Sequence, residues 1–194
     1  MRMVIRTICV CVAASAVLLG ASYEGFAEHK RKKVRKVRSS ASCSAGASAS
    51  VARFKIEKGE ALPAAIPKPL TRKPGDAKRG LEAAVNPGKG NCLACHHIAK
   101  VLTKVEAGDK KSEAAYGNHG EVGPPLNGVG GRYSKAELRM IVVNPRKAFP
   151  DANTVMPAYH VRPLNRDVSR ACRGRVMLSA QSIEDIVTFL EELK

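Results

Sequence analysis

The chain has 194 residues, a formal charge of +16 and 44% apolar residues, with four Phe, four Tyr and no Trp. That length accommodates one compact domain with tails and excludes two ordinary domains. The apolar share supports a real core, and with aromatics at only 4% such a core gains from a prosthetic group at its centre.

The N-terminus reads as an export signal. Arg2 and Arg6 precede the charge-free run TICVCVAASAVLLG (residues 7–20), which is short for a bilayer span. Gly25-Phe26-Ala27 then offers a cleavage point, so residues 1–27 are expected to be a signal peptide and the mature protein to be periplasmic. An uncleaved membrane anchor is the alternative.

Residues 28–65 are expected to form a basic, Ser/Ala-rich flexible segment. Seven Lys and Arg stand against Glu28 in residues 28–38, and SSASCSAGASAS follows. So few large apolar side chains cannot offset the entropy of ordering. The basic charge suits an acidic protein or an anionic membrane face, and an exported chain is not expected to meet nucleic acid.

Within residues 51–75, Pro63, Pro67, Pro69 and Pro74 indicate an extended lead-in. Asp76 caps a predicted helix to about Val85, with Leu81, Ala84 and Val85 on its apolar face, and Asn86-Pro87-Gly88 ends it. Residues 97–120 contain a charged stretch that reads as a surface excursion. Ser134 and Glu137 form a capping box before Leu138, Ile141 and Val142, and Asn144-Pro145 stops that helix. Ser179 caps a closing helix over 180–194, with Ile183, Ile186, Val187, Leu190 and Leu193 on one face. Its Glu184 and Asp185 lie early, which suits the helix dipole. No segment alternates with period two, so the fold class is all-α.

Cys92-Leu93-Ala94-Cys95-His96 carries the chemistry. Two thiols one turn apart face the same side and can bind the two vinyl groups of one haem, and the next residue, His96, is then held against the iron. A zinc site of this type needs a second ligand pair, and a thioredoxin-like pair needs a strand before it; the sequence offers neither. The expected cofactor is therefore one covalently attached haem c. Met140, Met156, Met177 and His160 are the candidate sixth ligands. Met140 and Met177 read as core filling beside helices, and His160 as an exposed side chain. Met156, in a Pro-interrupted loop, is the preferred ligand, and His96 and Met156 are the expected metal ligands. With both axial positions filled, the iron has no vacant position for substrate, which favours electron transfer over catalysis. Cys43 and Cys172 remain, as a disulfide or as two free thiols.

These residues resemble the class I cytochrome c fold, in which a Gly-Pro-x-Leu stretch follows the haem motif, here Gly123-Pro124-Pro125-Leu126. The resemblance implies that the Pro124 carbonyl accepts the His96 Nδ1–H, that Leu126 packs on the haem, and that Gly80 and Phe189 mark the crossing of the first and last helices. Across residues 66–194, the expected cytochrome domain, IPKPLTRKPGDAKRG, GKGNCLACH, GPPLNGVGGRY, VVNPRKAFPDANTVMPAYH and LSAQSIEDIVTFLEELK together resemble SoxX, the small monohaem subunit of SoxAX cytochromes in thiosulfate oxidation. Residues 28–50 and 165–174 lie outside that pattern. The resemblance implies a non-catalytic electron-transfer subunit of an L-cysteine S-thiosulfotransferase, with no catalytic residue of its own. Implied partners are a SoxA-like monohaem or dihaem cytochrome in a heterodimer, a SoxYZ-like carrier protein, and a downstream cytochrome c or oxidase. A free-standing respiratory electron carrier of the same fold is the alternative.

Overall fold

The computed structural model describes residues 43, 47, 48, 50–101, 119–162 and 169–194. The chain divides into two units, 1–40 and 41–194, and every described residue belongs to the second. The expected signal peptide, the basic run 28–38 and most of the excursion at 97–120 lie outside the described residues.

Local sequence accounts for the main helices. Helix α1 (Ala77–Val85) starts where the Asp76 side chain accepts the Arg79 N–H at 2.8 Å. Helix α2 (Val129–Arg132) is a single turn after Gly128, whose φ of +70° is left-handed. Helix α3 (Lys135–Val143) opens with the expected capping box between Ser134 and Glu137. Asn144-Pro145 ends it, but Pro145 then occupies the first position of a new turn, α4 (Pro145–Ala148). Helix α5 (Ala180–Glu191) is capped by Ser179, which accepts the Ser182 N–H, and stops three residues before the expected end.

Helix α5 is the spine: α1, α2 and α3 all pack against it. Ile183, Ile186, Val187 and Phe189 of α5 are buried in one apolar cluster with Leu138, Met140 and Val143 of α3, each large side chain contributing roughly 1.5–3 kcal/mol. The α1–α5 crossing occurs at Gly80, as the resemblance implies. A Cβ there would strike the Asp185 carbonyl and come within 2.8 Å of the Phe189 Cβ.

Two acidic residues expected to serve the dipole of α5 are instead buried anchors. Glu184 is paired with Arg139, which donates from Nε at 2.7 Å and Nη2 at 3.1 Å, and Arg139 also donates to the Ile66 carbonyl at 2.6 Å. Both ions are enclosed, and the fork geometry offsets their desolvation. Asp185 accepts from Arg79, Gln181 and the Asp76 N–H. Burial opposes its ionisation, but these donors, Arg79 foremost, hold its carboxyl below the usual range.

The segment before residue 66 also differs from the expected flexible one. Glu57 and Ala65 exchange backbone hydrogen bonds, Ile66 N–H bonds to the Ala136 carbonyl, and Leu62, Ala64, Ala65 and Ile66 are buried. Glu137 of α3 fixes this stretch by accepting the Ala61 and Leu62 N–H groups at 2.6 and 2.8 Å. The apolar residues are few, and the satisfied backbone does the anchoring. Further upstream, Cys43 and Cys172 are joined as a disulfide with Cα atoms 5.0 Å apart.

Candidate haem site

Asn91, in the left-handed region at φ 50°, turns the chain into a short 3-10 turn over Cys92–Ala94. His96 N–H and Cys95 N–H both bond to the Cys92 carbonyl, at 2.9 and 3.1 Å. This compact turn brings Cys92, Cys95 and His96 to the wall of one cavity of about 710 Å³, within the range of small-molecule and cofactor pockets. Met156, Leu126 and Pro124 line the same cavity. All six residues singled out in the sequence are thus brought together.

The His96 imidazole is fixed from behind. Its Nδ1 lies 2.7 Å from the Pro124 carbonyl oxygen. A carbonyl only accepts, so Nδ1 carries the proton and Nε2 keeps its lone pair. Backbone bonds hold the two strips in register: Gly123 N–H to the Cys95 carbonyl at 2.7 Å and Leu126 N–H to the His97 carbonyl at 3.0 Å. Gly123 is required by contact, since a Cβ there would run into the imidazole ring.

Met156 follows a loop in which its N–H donates to Thr154 Oγ1 at 3.2 Å, and it packs partly buried against the core. The other candidates are placed elsewhere. Met140 is fully buried between helices, as expected. Met177 is 41% exposed, so it is not the core residue the sequence suggests. His160 is fully buried, not exposed: its Nδ1 faces the Leu178 carbonyl at 2.8 Å and its Nε2 accepts the Ala52 N–H at 3.0 Å. With both nitrogens engaged it has no free lone pair for iron. His97 and His119 meet edge-to-face away from the cavity lining.

Two lining residues had no sequence signal. Tyr159 is buried and donates its hydroxyl to the Gly90 carbonyl at 2.6 Å, tying the Met156 loop to the Cys92 turn. Burial, and after it the nearby cysteines, raise its pKa, so it stays a neutral donor. Arg132 donates to the Asn127 and Pro125 carbonyls at 2.7 and 3.3 Å, bracing the loop that carries Pro124 and Leu126. The Tyr159 bond spans 69 residues, which a single sequence does not display, while Arg132 reaches back only five and seven residues.

Burial pushes the Cys92 thiol up to about 12. Among the described residues no group of three or more His, Cys, Asp or Glu is placed to hold a metal ion by itself. Two thiols, an imidazole and a thioether around an apolar cavity do fit a covalently attached haem.

These helices, crossing at Gly80 and enclosing a cavity between the Cys92–His96 turn and the Met156 loop, define an all-α cytochrome c fold. The crystal structure of SoxXA from P. pantotrophus is similar, with 32% sequence identity, a TM-score of 0.52, and coverage of 67% of this chain and 90% of that one. The chain belongs to the SoxXA cytochrome family. No family model and no curated protein matches its sequence.

Proposed function

We propose that the protein is an exported monohaem c-type cytochrome, the small, SoxX-like electron-accepting subunit of a thiosulfate-oxidising S-thiosulfotransferase. The observation that carries this reading is the cavity bounded by Cys92, Cys95, the Pro124-oriented His96 and Met156. When bound, haem c supplies a one-electron iron couple.

The chain's own residues do the rest. Cys92 and Cys95 would carry the thioether bonds of a bound haem. His96 would ligate the iron through Nε2, with Nδ1–H held by the Pro124 carbonyl, which makes the imidazole a stronger donor. Met156 would supply a soft thioether, which favours the reduced state. Leu126, Ile141 and Tyr159 exclude water from the cavity, and the apolar wall further favours the less charged, reduced site. No residue here acts as acid, base or nucleophile. The bond between thiosulfate and a carrier cysteine forms on the partner subunit, and this chain receives the electrons released, one at a time, for a downstream cytochrome or oxidase.

Val122 and Val155 support this role. Both line the cavity and are 71% and 73% exposed, giving its mouth an apolar rim suited to a docking partner. The test is co-expression with a SoxA-like subunit in a haem-ligating host. The expected result is a stable heterodimer whose haem in this chain is reduced on adding thiosulfate and the carrier protein. Isolation as a monomer, reduced instead by a quinol-oxidising complex, contradicts it and favours the free-standing carrier.

A further inference from the structure

We infer that the arginine-rich turn at residues 170–177 is a membrane-docking surface, which seats the protein on an anionic phospholipid bilayer. Arg170, Arg173 and Arg175 are all exposed there. Among the described residues none forms an ion pair with any of the three. The three are all Arg, whose planar fork matches phosphate oxygens in pairs.

The turn is built to present them. Arg170–Cys172 form a 3-10 turn, and Gly174 at φ +71° reverses the chain between Arg173 and Arg175. Cys172 is clamped to Cys43, and Val176 exchanges backbone hydrogen bonds with Ser48 at 2.8 and 3.0 Å. In that extended pairing Val176 points into the core, fully buried, so its neighbours Arg175 and Met177 point outward together. Met177 is one of four exposed large apolar side chains among the described residues. Cations with an outward-facing apolar side chain on a rigid turn match the bilayer interface, where headgroup phosphates meet acyl chains. An acidic protein would satisfy the charges but gives Met177 no stated place.

The location is functional. None of these four residues lines the haem cavity, so a bilayer bound here leaves its apolar mouth free for a redox partner. The seven basic residues at 28–38, earlier in the chain, carry the same attraction and are removed from both the parent and the variant when the arginines are tested.

The experiment is co-sedimentation of the mature holoprotein with phosphatidylglycerol–phosphatidylcholine vesicles against pure phosphatidylcholine vesicles, at low and high salt. Binding is expected only to the anionic vesicles, and salt should weaken it. Replacing Arg170, Arg173 and Arg175 together by Gln, in a protein lacking residues 28–38, should lower the partition constant roughly five-fold per charge, on the order of 100-fold in total. Met177→Ser should weaken partition at high salt, where the apolar contact remains. The haem spectrum and disulfide content confirm that each variant is folded. Absent binding at low salt, or undiminished binding by the triple variant, overturns the proposal. So does retention by a soluble acidic polypeptide with none by the vesicles.

Discussion

The Nδ1 of His96 sits 2.7 Å from the carbonyl oxygen of Pro124, 28 residues further along the chain. That one contact selects the tautomer and aims Nε2 into the cavity. It depends on Gly123, whose missing side chain leaves room for the imidazole.

Gly123→Ala should therefore displace the His96 ring. Overpacking of this kind costs about 1–3 kcal/mol. The expected outcome is lower thermal stability with a shifted haem potential, read by calorimetry and by redox titration. An unchanged potential would separate Gly123 from the ligand.

Met156→Ala should leave haem attached, because Cys92 and Cys95 are untouched. The potential should fall with loss of the thioether, and ferric protein should bind added imidazole or cyanide. A ferric spectrum identical to that of the parent would remove Met156 from the coordination sphere.

The pair Arg139–Glu184 predicts a cycle of variants. Glu184→Leu strands an enclosed guanidinium and should cost about 3–5 kcal/mol, a melting shift of roughly 6–20 °C. Arg139→Met together with Glu184→Leu should recover part of that loss, since an apolar pair fits the same space while the Ile66 carbonyl and the Leu70 N–H lose their partners. Thermal melts of the two variants decide it.

Helix caps, the capping box at Ser134 and Glu137, and the Cys-x-x-Cys-His turn were legible because each is set within a few residues. The stripe Ile183, Ile186, Val187, Leu190 likewise identified the buried face of α5. The second duty of the acids was not legible. Glu184 and Asp185 look like dipole partners locally, yet their cations lie 45 and 106 residues away. Glu137 likewise does more than cap: it holds Ala61 and Leu62 from 76 and 75 residues off, which is why a stretch poor in large side chains is ordered. His160 and Met177 exchanged their expected places for the same reason. The turn at Val176 faces one residue inward and its neighbours outward, and only tertiary pairing with Ser48 reveals that.

Stability should fall monotonically as the solution is acidified, in two stages. His160 is held below its ordinary 6.5 by burial, and its Nε2 must stay unprotonated to accept the Ala52 N–H. A lowered folded pKa means the unfolded chain binds the proton first, so stability is lost as pH drops below about 6.5. Asp185 and Glu137 are also depressed. Burial works against ionisation in both; the Arg79 donor in one, and the Ser134, Leu62 and Ala61 donors in the other, outweigh it. Their contribution is complete above the ordinary carboxylate range and is lost below it. Denaturant unfolding from pH 8 to 3 should show both stages, and His160→Gln should flatten the first. A stability maximum at acid pH would contradict the assignment.

The most direct test is intact-mass and peptide mass spectrometry of the protein matured in a host with export and haem-ligation machinery. The account predicts one haem adduct per chain, mapped to the peptide containing Cys92 and Cys95. The bare polypeptide mass, with both thiols alkylatable, would contradict it.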